Sequence, residues 1–269
     1  MQTTTYQAIK IYNNSQNTIQ DVLVVEAPLQ ININDEPYTV VMRTPDNDKE
    51  LIRGLLFAED IYKSEKTLIF QINKEDNGVP SIINVTISKE LLGKGYLNKR
   101  TLLSVSSCGI CGKKELKDIK VEGEKFTQIN NFTVDNLHKM LLNMSSFQHT
   151  FKSSGGSHAA AIYNNKNEFL TLKEDIGRHN AVDKVIGDLI IKDYLHHANY
   201  LFVSGRVSYE IISKAFLAKI PVIVAISACS SLAIDFAKEF GICLIGFTRD
   251  HKMTIYSNPS LVKKETVYV

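Results

Sequence analysis

The chain has 269 residues, of which 44% are apolar and 22% are charged, and these proportions are ordinary for a folded globular protein. Its net charge of +2 is too small for a protein that binds duplex nucleic acid through a basic face. The apolar runs fall far short of the roughly 20 residues that a membrane span needs, and the N-terminus lacks the pattern of a secretory signal. We therefore predict a cytoplasmic protein that binds neither nucleic acid nor membranes.

Short strands around one helix are predicted up to about residue 130. The helix follows capping residues at 46–48, because Leu51, Ile52, Leu55 and Leu56 have helical spacing. Apolar or alternating segments predict strands at 21–25, 38–42, 68–72 and 82–87. A polar, glycine-containing stretch at 93–100 then leads as a loop to a pair of cysteines.

The second half of the chain alternates strands with helices. Helices are predicted to begin after Thr133, at Asp175, at Ser208 and after Ser230 or Ser231, and the last of them ends at Gly241. Strands are predicted at 159–163, 169–172, 201–203, 221–226 and 242–247. This alternation indicates an α/β layer around a largely parallel sheet. We predict an α+β protein of two domains: a small β-rich mixed domain over 1–125, with the cysteine pair at its end, and an α/β domain over 126–269.

The sharpest chemical signal is the glycine-flanked pair Cys108 and Cys111. Glycine leaves a neighbouring sulfur unshielded, and the basic residues at 113–114 favour the thiolate, which is the reactive species. Three interpretations are open from these residues alone: half of a zinc site, a thioredoxin-like dithiol, and a carrier that holds sulfur as a persulfide. Cys229 and Cys243 stand alone in apolar surroundings, and four cysteines in a reducing compartment do not predict a disulfide framework.

Two polar segments of the second half contain histidine. The segment 174–180 opens a predicted helix and includes Arg178 and His179, which suit an anion because a helix N-terminus presents free N–H groups. The segment 153–160 places two glycines before His158, so it is either a ligand-approach loop or a tight turn with a buried histidine.

Three further turns follow predicted strands, where ligands bind in α/β folds. The turn at 204–208 contains Ser204 and Arg206, and a serine-rich turn occupies the corresponding position at 227–231. Such turns also serve as helix caps. The segment 246–253 gathers three basic side chains, Arg249, His251 and Lys252. A basic cluster beside the other turns predicts an anionic, nucleotide-like ligand.

Together these segments resemble the formate dehydrogenase accessory sulfurtransferase family. The resemblance runs from about residue 40 to 255 and depends on the ordered set rather than on any single segment. The matching segments are ELIRGLLFAEDI at 50–61, SSCGICGK at 106–113, GGSHAAA at 155–161, EDIGRHNAVDKVIG at 174–187, SGRVSYEI at 204–211 and GFTRD at 246–250.

The resemblance implies that Cys108 takes sulfur from a cysteine desulfurase as a persulfide and that Cys111 assists in relay or release. The sulfur would pass to a molybdenum or tungsten bis(molybdopterin guanine dinucleotide) cofactor, the bound substrate, which is destined for formate dehydrogenase. The residues assigned to that ligand are Phe247, Thr248, Arg249, Asp250, His251, Lys252, Arg178, His179, Ser204 and Arg206. The resemblance also implies a homodimer and a second domain similar to the three-layer α/β fold of cytidine deaminases, and no permanently bound metal is expected.

Three alternatives remain beside this hypothesis. A zinc-dependent deaminase needs His-x-Glu followed by Pro-Cys-x-x-Cys, but Ala160 stands where the glutamate would follow His158, and the cysteines precede the histidine. A chaperone that binds the cofactor without transferring sulfur would need no working thiol. A structural zinc protein would hold metal at Cys108 and Cys111.

Overall fold

A computed structural model describes residues 2–97, 123–127, 132–249 and 252–263. The chain begins with an antiparallel hairpin of two strands, β1 (Thr3–Tyr12) and β2 (Ser15–Val24). Its turn is formed by Asn13 and Asn14, both with positive φ (45° and 62°), as a two-residue hairpin turn requires. Only the end of β2 was predicted, because neither strand has the alternating pattern of a half-buried sheet.

A four-stranded sheet in the order β4-β3-β6-β5 follows the hairpin. Its strands are β3 (Ala27–Ile33), β4 (Glu36–Arg43), β5 (Ile69–Asp76) and β6 (Val79–Thr86). Helix α1 (Asp48–Ala58) covers one face and buries Leu51, Ile52, Leu55 and Leu56 against the sheet. The predicted helix is confirmed, since its spacing is a local signal; Asn47 occupies the N-cap but makes no side-chain capping hydrogen bond. Two short 3-10 turns, Lys89–Leu91 and Lys94–Leu97, end this part of the chain.

A six-stranded sheet in the order β13-β12-β11-β10-β8-β9 forms the centre of the second half. Its strands are β8 (His158–Tyr163), β9 (Phe169–Asp175), β10 (Tyr200–Val203), β11 (Val222–Ala225), β12 (Cys243–Arg249) and β13 (Lys252–Ile255). A small separate pair joins β7 (Phe132–Thr133) to β14 (Val262–Lys263). The helices are α2 (Val134–Ser146), α3 (His149–Ser154), α4 (Arg178–Ile191), α5 (Tyr209–Leu217) and α6 (Ser231–Phe240).

The prediction of a largely parallel sheet is wrong in its extent. Only β10, β11 and β12 run parallel to one another, whereas β8, β9 and β13 are antiparallel to their neighbours. The physical reason lies in the connections: β8–β9 and β12–β13 are joined by short turns, and a parallel pair requires a long crossover.

The central sheet is buried on both faces, as the apolar run at 221–226 predicts. Helices α4, α5 and α6 cover one face, and α2 covers the other with Leu137, Met140 and Met144. The result is a mixed α/β architecture with a three-layer second half. Its likeness to cytidine deaminases stays a prediction, as does the division at 125/126, although the strands of the two larger sheets fall on either side of that division.

Helix α1 of the first half crosses helix α4 of the second half so closely that their backbones are in contact. A Cβ atom on Gly54 would overlap the carbonyl oxygen of Asp183, and one on Gly187 would overlap the carbonyl oxygen of Glu50. Only glycine permits so close an approach of two helices. The four-stranded sheet is therefore fixed to the helical layer that borders the predicted binding residues.

Candidate functional site

Three turns meet at the carboxyl ends of the parallel strands β10, β11 and β12. Val207 bridges to Cys229 and donates its N–H to the carbonyl of Ala228 (3.0 Å). Phe247 donates its N–H to the carbonyl of Ser227 (3.1 Å). We call the surface formed by residues 177–180, 204–208, 227–230 and 246–249 the strand-end surface. Its location confirms the expectation that the predicted turns lie at one edge of the sheet.

Two arginines and a histidine converge on this surface. A Cβ atom on Gly205 would lie 3.2 Å from both Arg178 Cβ and His158 Nδ1, so the turn packs directly between these side chains. Burial and then the nearby Arg206 lower the pKa of Arg178, against the opposing effect of Glu210. The Nε atom of Arg178 is buried and has no hydrogen-bond partner within the described ranges. This paired positive charge with an unused donor suits an anionic ligand.

His158 lies at the start of β8 inside this cluster and is half-buried. Its pKa is lowered by burial first and then by the charge of Arg178, while Asp175 opposes the shift and Arg206 adds to it. The imidazole is therefore held neutral at pH 7. The sequence left open whether His158 belongs to a ligand loop or is a buried histidine, and the structure shows a ring that is half-buried beside two arginines.

His179 is buried beneath the strand-end surface. Its Nε2 lies 3.0 Å from Ser208 Oγ and 3.6 Å from the Glu210 carboxylate, so the ring joins the starts of α4 and α5. Glu210 lies 3.4 Å from Lys214, which forms a buried ion pair with Asp183 at 2.6 Å. Burial lowers the pKa of Lys214, but the carboxylates of Asp183 and Glu210 outweigh burial and raise it overall. His179 thus holds helices in position, and its contact with a ligand stays a prediction.

The turn at 204–208 is tied to β8. Ser204 Oγ accepts a hydrogen bond from the N–H of Ala159 (2.9 Å), and the N–H of Ser204 donates to the carbonyl of Ala159 (3.0 Å). The side chain of Arg206 is exposed two residues later. The serine therefore fixes the turn, and the arginine is the member that solvent or a ligand reaches.

A buried polar network fixes the start of α4, and sequence reasoning missed it. Asp175 pairs with Lys184 at 2.8 Å, with both side chains at 0% exposure. Asp175 also accepts hydrogen bonds from the N–H of Thr44 (3.1 Å), the N–H of Gly177 (2.8 Å) and the amide of Asn180 (2.9 Å). Much of the polar segment 174–180 is therefore structural, and it supports the half-buried Arg178.

A second basic group lies where β12 turns into β13. The register shifts between Gly246 and Arg249, and Phe247 adopts a left-handed φ of 52°. A bulge of this kind redirects side chains, and here it exposes Phe247 and Arg249 while Thr248 is buried. An open pocket of about 300 Å³ results; its lining residues are Phe247, Arg249, Lys252, Met253 and Thr254. The last two were not predicted, and the predicted Asp250 and His251 lie outside the described residues.

The predicted nucleophiles Cys108 and Cys111 also lie outside the described residues. The chain before them is held beside the end of α1, where Gly95 donates to the carbonyl of Asp60 (3.0 Å). The chain after them docks at the ends of α5 and α6: Phe126 donates to the carbonyl of Phe240 (2.9 Å) and packs edge-on against Phe216. Because the strand-end surface lies at the other ends of α5 and α6, the attachment point after the cysteines is at the opposite end of these two helices.

The remaining two cysteines are poor nucleophiles. Burial raises the pKa of the Cys229 thiol and of the Cys243 thiol to about 12 in each case. Both are therefore protonated at neutral pH.

The described residues contain no group of three or more histidine, cysteine, aspartate or glutamate side chains arranged to hold a metal ion. Within the same residues, no helix has the length and apolarity that crossing a bilayer requires.

Comparison with known proteins places this chain among sulfur carriers. It is 36% identical over 262 residues to the sulfur carrier protein FdhD of Picrophilus torridus, covering 94% of this chain and 96% of that protein. It is 37% identical over 254 residues to that of Sulfolobus acidocaldarius, with the same coverage. It is 36% identical over 258 residues to that of Mycobacterium tuberculosis, covering 89% of this chain and 91% of that protein.

The fold has a solved counterpart. A crystal structure from Desulfotalea psychrophila, described as that of a formate dehydrogenase accessory protein, matches with a TM-score of 0.76. The match covers 98% of this chain and 100% of the other at 18% identity, which establishes a shared fold. Residues 24–263 match the model of the FdhD/NarQ family. Since that match spans most of the chain and the curated relatives align over nearly their full lengths, this protein belongs to the FdhD/NarQ family.

Proposed function

We propose that this chain is a sulfurtransferase that accepts sulfur from a cysteine desulfurase as a persulfide on Cys108. It then transfers the sulfur to a molybdenum or tungsten bis(molybdopterin guanine dinucleotide) cofactor destined for formate dehydrogenase. Membership of the family supports the carrier role, because the curated relatives are named sulfur carrier proteins. The donor, the acceptor, the cytoplasmic location and the enzymatic character of the transfer are part of the proposal.

One observation carries the assignment of the nucleophile. Of the four cysteines, Cys229 and Cys243 have pKa values raised to about 12 by burial. A thiol with that pKa supplies almost no thiolate at pH 7, and sulfur exchange depends on the thiolate fraction. This supports Cys108 or Cys111 as the working sulfur, and the resemblance assigns the persulfide to Cys108.

The loading step conserves sulfur and charge. The Cys108 thiolate attacks the outer sulfur of the donor's persulfide, the donor's S–S bond breaks, and the donor cysteine leaves as a thiolate.

In the delivery step, the S–S bond of the deprotonated Cys108 persulfide breaks and Cys108 keeps the electron pair as its thiolate. The departing sulfur atom becomes a sulfido ligand by taking two electrons from the metal centre that receives it. In the proposal, Cys111 assists in relay or release.

The strand-end surface fits the diphosphate and guanine groups of such a substrate. Arg178 and Arg206 provide adjacent positive charge, and the unpaired Nε of Arg178 is a donor that a phosphate oxygen can use. Arg249 and Lys252 provide a second cationic group beside the exposed ring of Phe247, on which a guanine base can stack. These residues bind and orient the dinucleotide in the proposal, and the sulfur chemistry belongs to Cys108.

The attachment points of the cysteine segment are compatible with transfer to this surface. Cys108 precedes Gly123, which lies against Phe216, by 15 residues, and an extended chain of that length spans at most about 50 Å. The nine residues of α5 span only about 14 Å between the docking point near Phe216 and the strand-end surface. A sulfur on Cys108 can therefore approach either end of the helical layer.

Mass spectrometry after incubation with a cysteine desulfurase and cysteine tests the loading step. We expect an adduct of about 32 Da, one sulfur atom, on Cys108. The Cys108→Ala variant should lose the adduct, and the matched control Cys229→Ala, which also removes one thiol, should keep it. An adduct that persists in Cys108→Ala, or stoichiometric zinc bound at Cys108 and Cys111 in the purified protein, would rule out the persulfide role.

Activation of formate dehydrogenase separates transfer from chaperoning. A protein that only binds the cofactor would still activate the dehydrogenase after Cys108→Ala, because the strand-end surface is unchanged. The sulfurtransferase proposal predicts that this variant binds guanine nucleotide normally and yields inactive dehydrogenase.

A further inference from the structure

His158 is a titratable ring in the middle of a positively charged cluster. The buried Gly205 packs against both this ring and Arg178: a Cβ atom on Gly205 would lie 3.2 Å from His158 Nδ1 and 3.2 Å from Arg178 Cβ. The exposed Arg206 follows in the same turn. His158 itself is half-buried, so solvent reaches part of the residue. Sulfur transfer through Cys108 does not account for a titratable ring at this position.

The turn that contains Arg206 is bonded directly to the strand that contains His158. Ser204 exchanges two hydrogen bonds with Ala159, the residue after His158, at 2.9 and 3.0 Å. The imidazole and the two arginines are therefore held on segments that cannot easily move apart. An anion bound between Arg178 and Arg206 lies beside the imidazole and changes its electrostatic environment.

The charged groups that face the ring favour its neutral form when no anion is bound. They are Asp175 on β9, Arg178 on α4 and Arg206 in the turn after β10. Asp175 is the negative member of this set, but it already forms an ion pair with the fully buried Lys184 at 2.8 Å. Burial first and then Arg178 lower the pKa of His158 from 6.5, and Arg206 adds to the effect. The imidazolium thus lacks a free negative partner.

We propose that His158 takes up a proton from solvent when a doubly negative anion occupies the strand-end surface, and that the imidazolium then helps to hold that anion. The step adds one N–H bond and one positive charge to the ring, and no other bond forms or breaks. A nearby opposite charge favours the charged form of a titratable group. Because linkage between two ligands is reciprocal, a bound proton raises the affinity for the anion as much as the anion raises the affinity for the proton.

The linkage makes the surface select its ligands by charge. A diphosphate esterified at both ends, as in a dinucleotide, keeps two negative charges across the neutral pH range and can compensate both Arg178 and Arg206. A neutral or singly charged ligand leaves positive charge beside His158, so the ring stays neutral. The inference rests on the proposed function for the identity of the ligand, but the effect of charge on His158 does not depend on a guanine base.

Calorimetry with GDP-mannose tests the proton uptake. The diphosphate of this probe is esterified at both ends, so the probe does not titrate between pH 5 and pH 8. Titrations in two buffers with different ionisation enthalpies give the number of protons taken up per ligand. We expect uptake of up to one proton near pH 6 and an affinity about tenfold higher at pH 5 than at pH 8, because a rise of 1 in the pKa corresponds to about a tenfold change.

Variants of two histidines identify the group that takes up the proton. In His158→Gln the uptake should fall close to zero and the affinity should become nearly independent of pH. His196→Gln is the matched control, since His196 is exposed in the short turn that follows the other end of α4, and it should behave like the wild type. Equal uptake in His158→Gln and the wild type, or binding without uptake in the wild type, overturns the inference.

Histidine-ring NMR of the ¹⁵N-labelled chain measures the same event at the ring. The signal that is missing from His158→Gln should titrate below pH 6.5 in the free protein and at a higher pH when GDP-mannose is bound. Sodium sulfate, a dianion without a base, separates this inference from the proposed function. A shift with sulfate but none with GDP-mannose would support the linkage and contradict a guanine dinucleotide ligand. Binding of GDP-mannose without a shift would overturn the linkage and leave the sulfurtransferase proposal in place, and no shift with either anion would also overturn it.

Discussion

The hairpin of β1 and β2, residues 3–24, is here called the N-terminal arm. Both the arm and the strand-end surface are exposed, but only the strand-end surface rests on a buried polar network. The arm has no buried residue and no net charge. On the strand-end surface, the exposed Arg206 and the half-buried Arg178 stand above a network in which Asp175 and Lys184 are completely buried. A charged group that must bind a small anion needs a rigid base, because its geometry decides affinity. The arm has no such base. Exposure by itself therefore does not identify a binding site for a small anion, whereas a buried network that fixes the exposed charges does.

The largest expected effect comes from separating the strand-end surface from the first half of the chain. In Gly187→Val the new side chain overlaps the backbone of α1 near Glu50, so α1 and α4 must move apart. We expect a loss of more than about 4 kcal/mol, seen as insoluble protein or a melting temperature lower by roughly 10 °C or more. Gly78→Ala is the control, since nothing lies within 4 Å of that position, and its positive φ costs only about 1 kcal/mol. Similar melting temperatures for the two variants would show that the crossing is not tight.

The next effect tests the base of the strand-end surface. Asp175→Ala leaves Lys184 charged and unpaired in a fully buried position, which typically costs about 3–5 kcal/mol. Urea unfolding should show this loss, and the double variant Asp175→Ala/Lys184→Met should recover part of it. The exposed pair of Lys139 with Asp135 provides the control, because Lys139→Ala should cost less than about 0.5 kcal/mol. A small loss in Asp175→Ala would mean that the network does not support α4.

A smaller effect tests binding rather than stability. Arg206→Ala removes one of two adjacent guanidinium groups, and a charge-assisted hydrogen bond contributes about 1.5–3 kcal/mol. Calorimetry with GDP as the probe should show affinity reduced roughly 10- to 100-fold, with a weaker dependence on salt and an unchanged melting temperature. Lys238→Ala, which removes an exposed charge on α6, should bind GDP like the wild type. Equal affinity of Arg206→Ala and the wild type would remove Arg206 from the site.

The smallest effect is a change in the pH dependence of stability. The pKa of His158 is lowered from 6.5 in the folded state, mainly by burial and by Arg178. The unfolded chain therefore binds the proton first, and stability contributed by the neutral ring above pH 6.5 is lost as pH falls through the folded-state pKa. His158→Gln cannot titrate, so urea unfolding should show the wild type losing more stability than the variant between pH 7 and pH 5. Parallel curves would indicate that His158 titrates alike in both states.

Local signals identified most of the helices and strands. Thr133 was predicted to cap a helix, and its Oγ1 accepts the N–H of Asn136 (3.2 Å) at the start of α2. Gly241 was predicted to end a helix, and it adopts the left-handed φ of 77° after α6. These predictions succeeded because caps and helical spacing involve residues within one or two turns of each other.

Contacts between distant residues were not predictable in the same way. The carboxylate of Asp175 accepts a hydrogen bond from Thr44, 131 residues away, so its structural role left no local pattern. The arm was largely missed because a strand exposed on both faces has no hydrophobic alternation. The bulge that exposes Phe247 depends on how β12 pairs with β13.

Residue types and their order were enough to recognise the cysteine pair, the basic turns and the family. Folding sets which of the basic residues share a surface, which polar residues are buried supports, and how far burial raises the pKa of Cys229 and Cys243. The physical reason is that burial and long-range pairing set the environment of each side chain, and the environment changes its pKa and its accessibility without changing its identity.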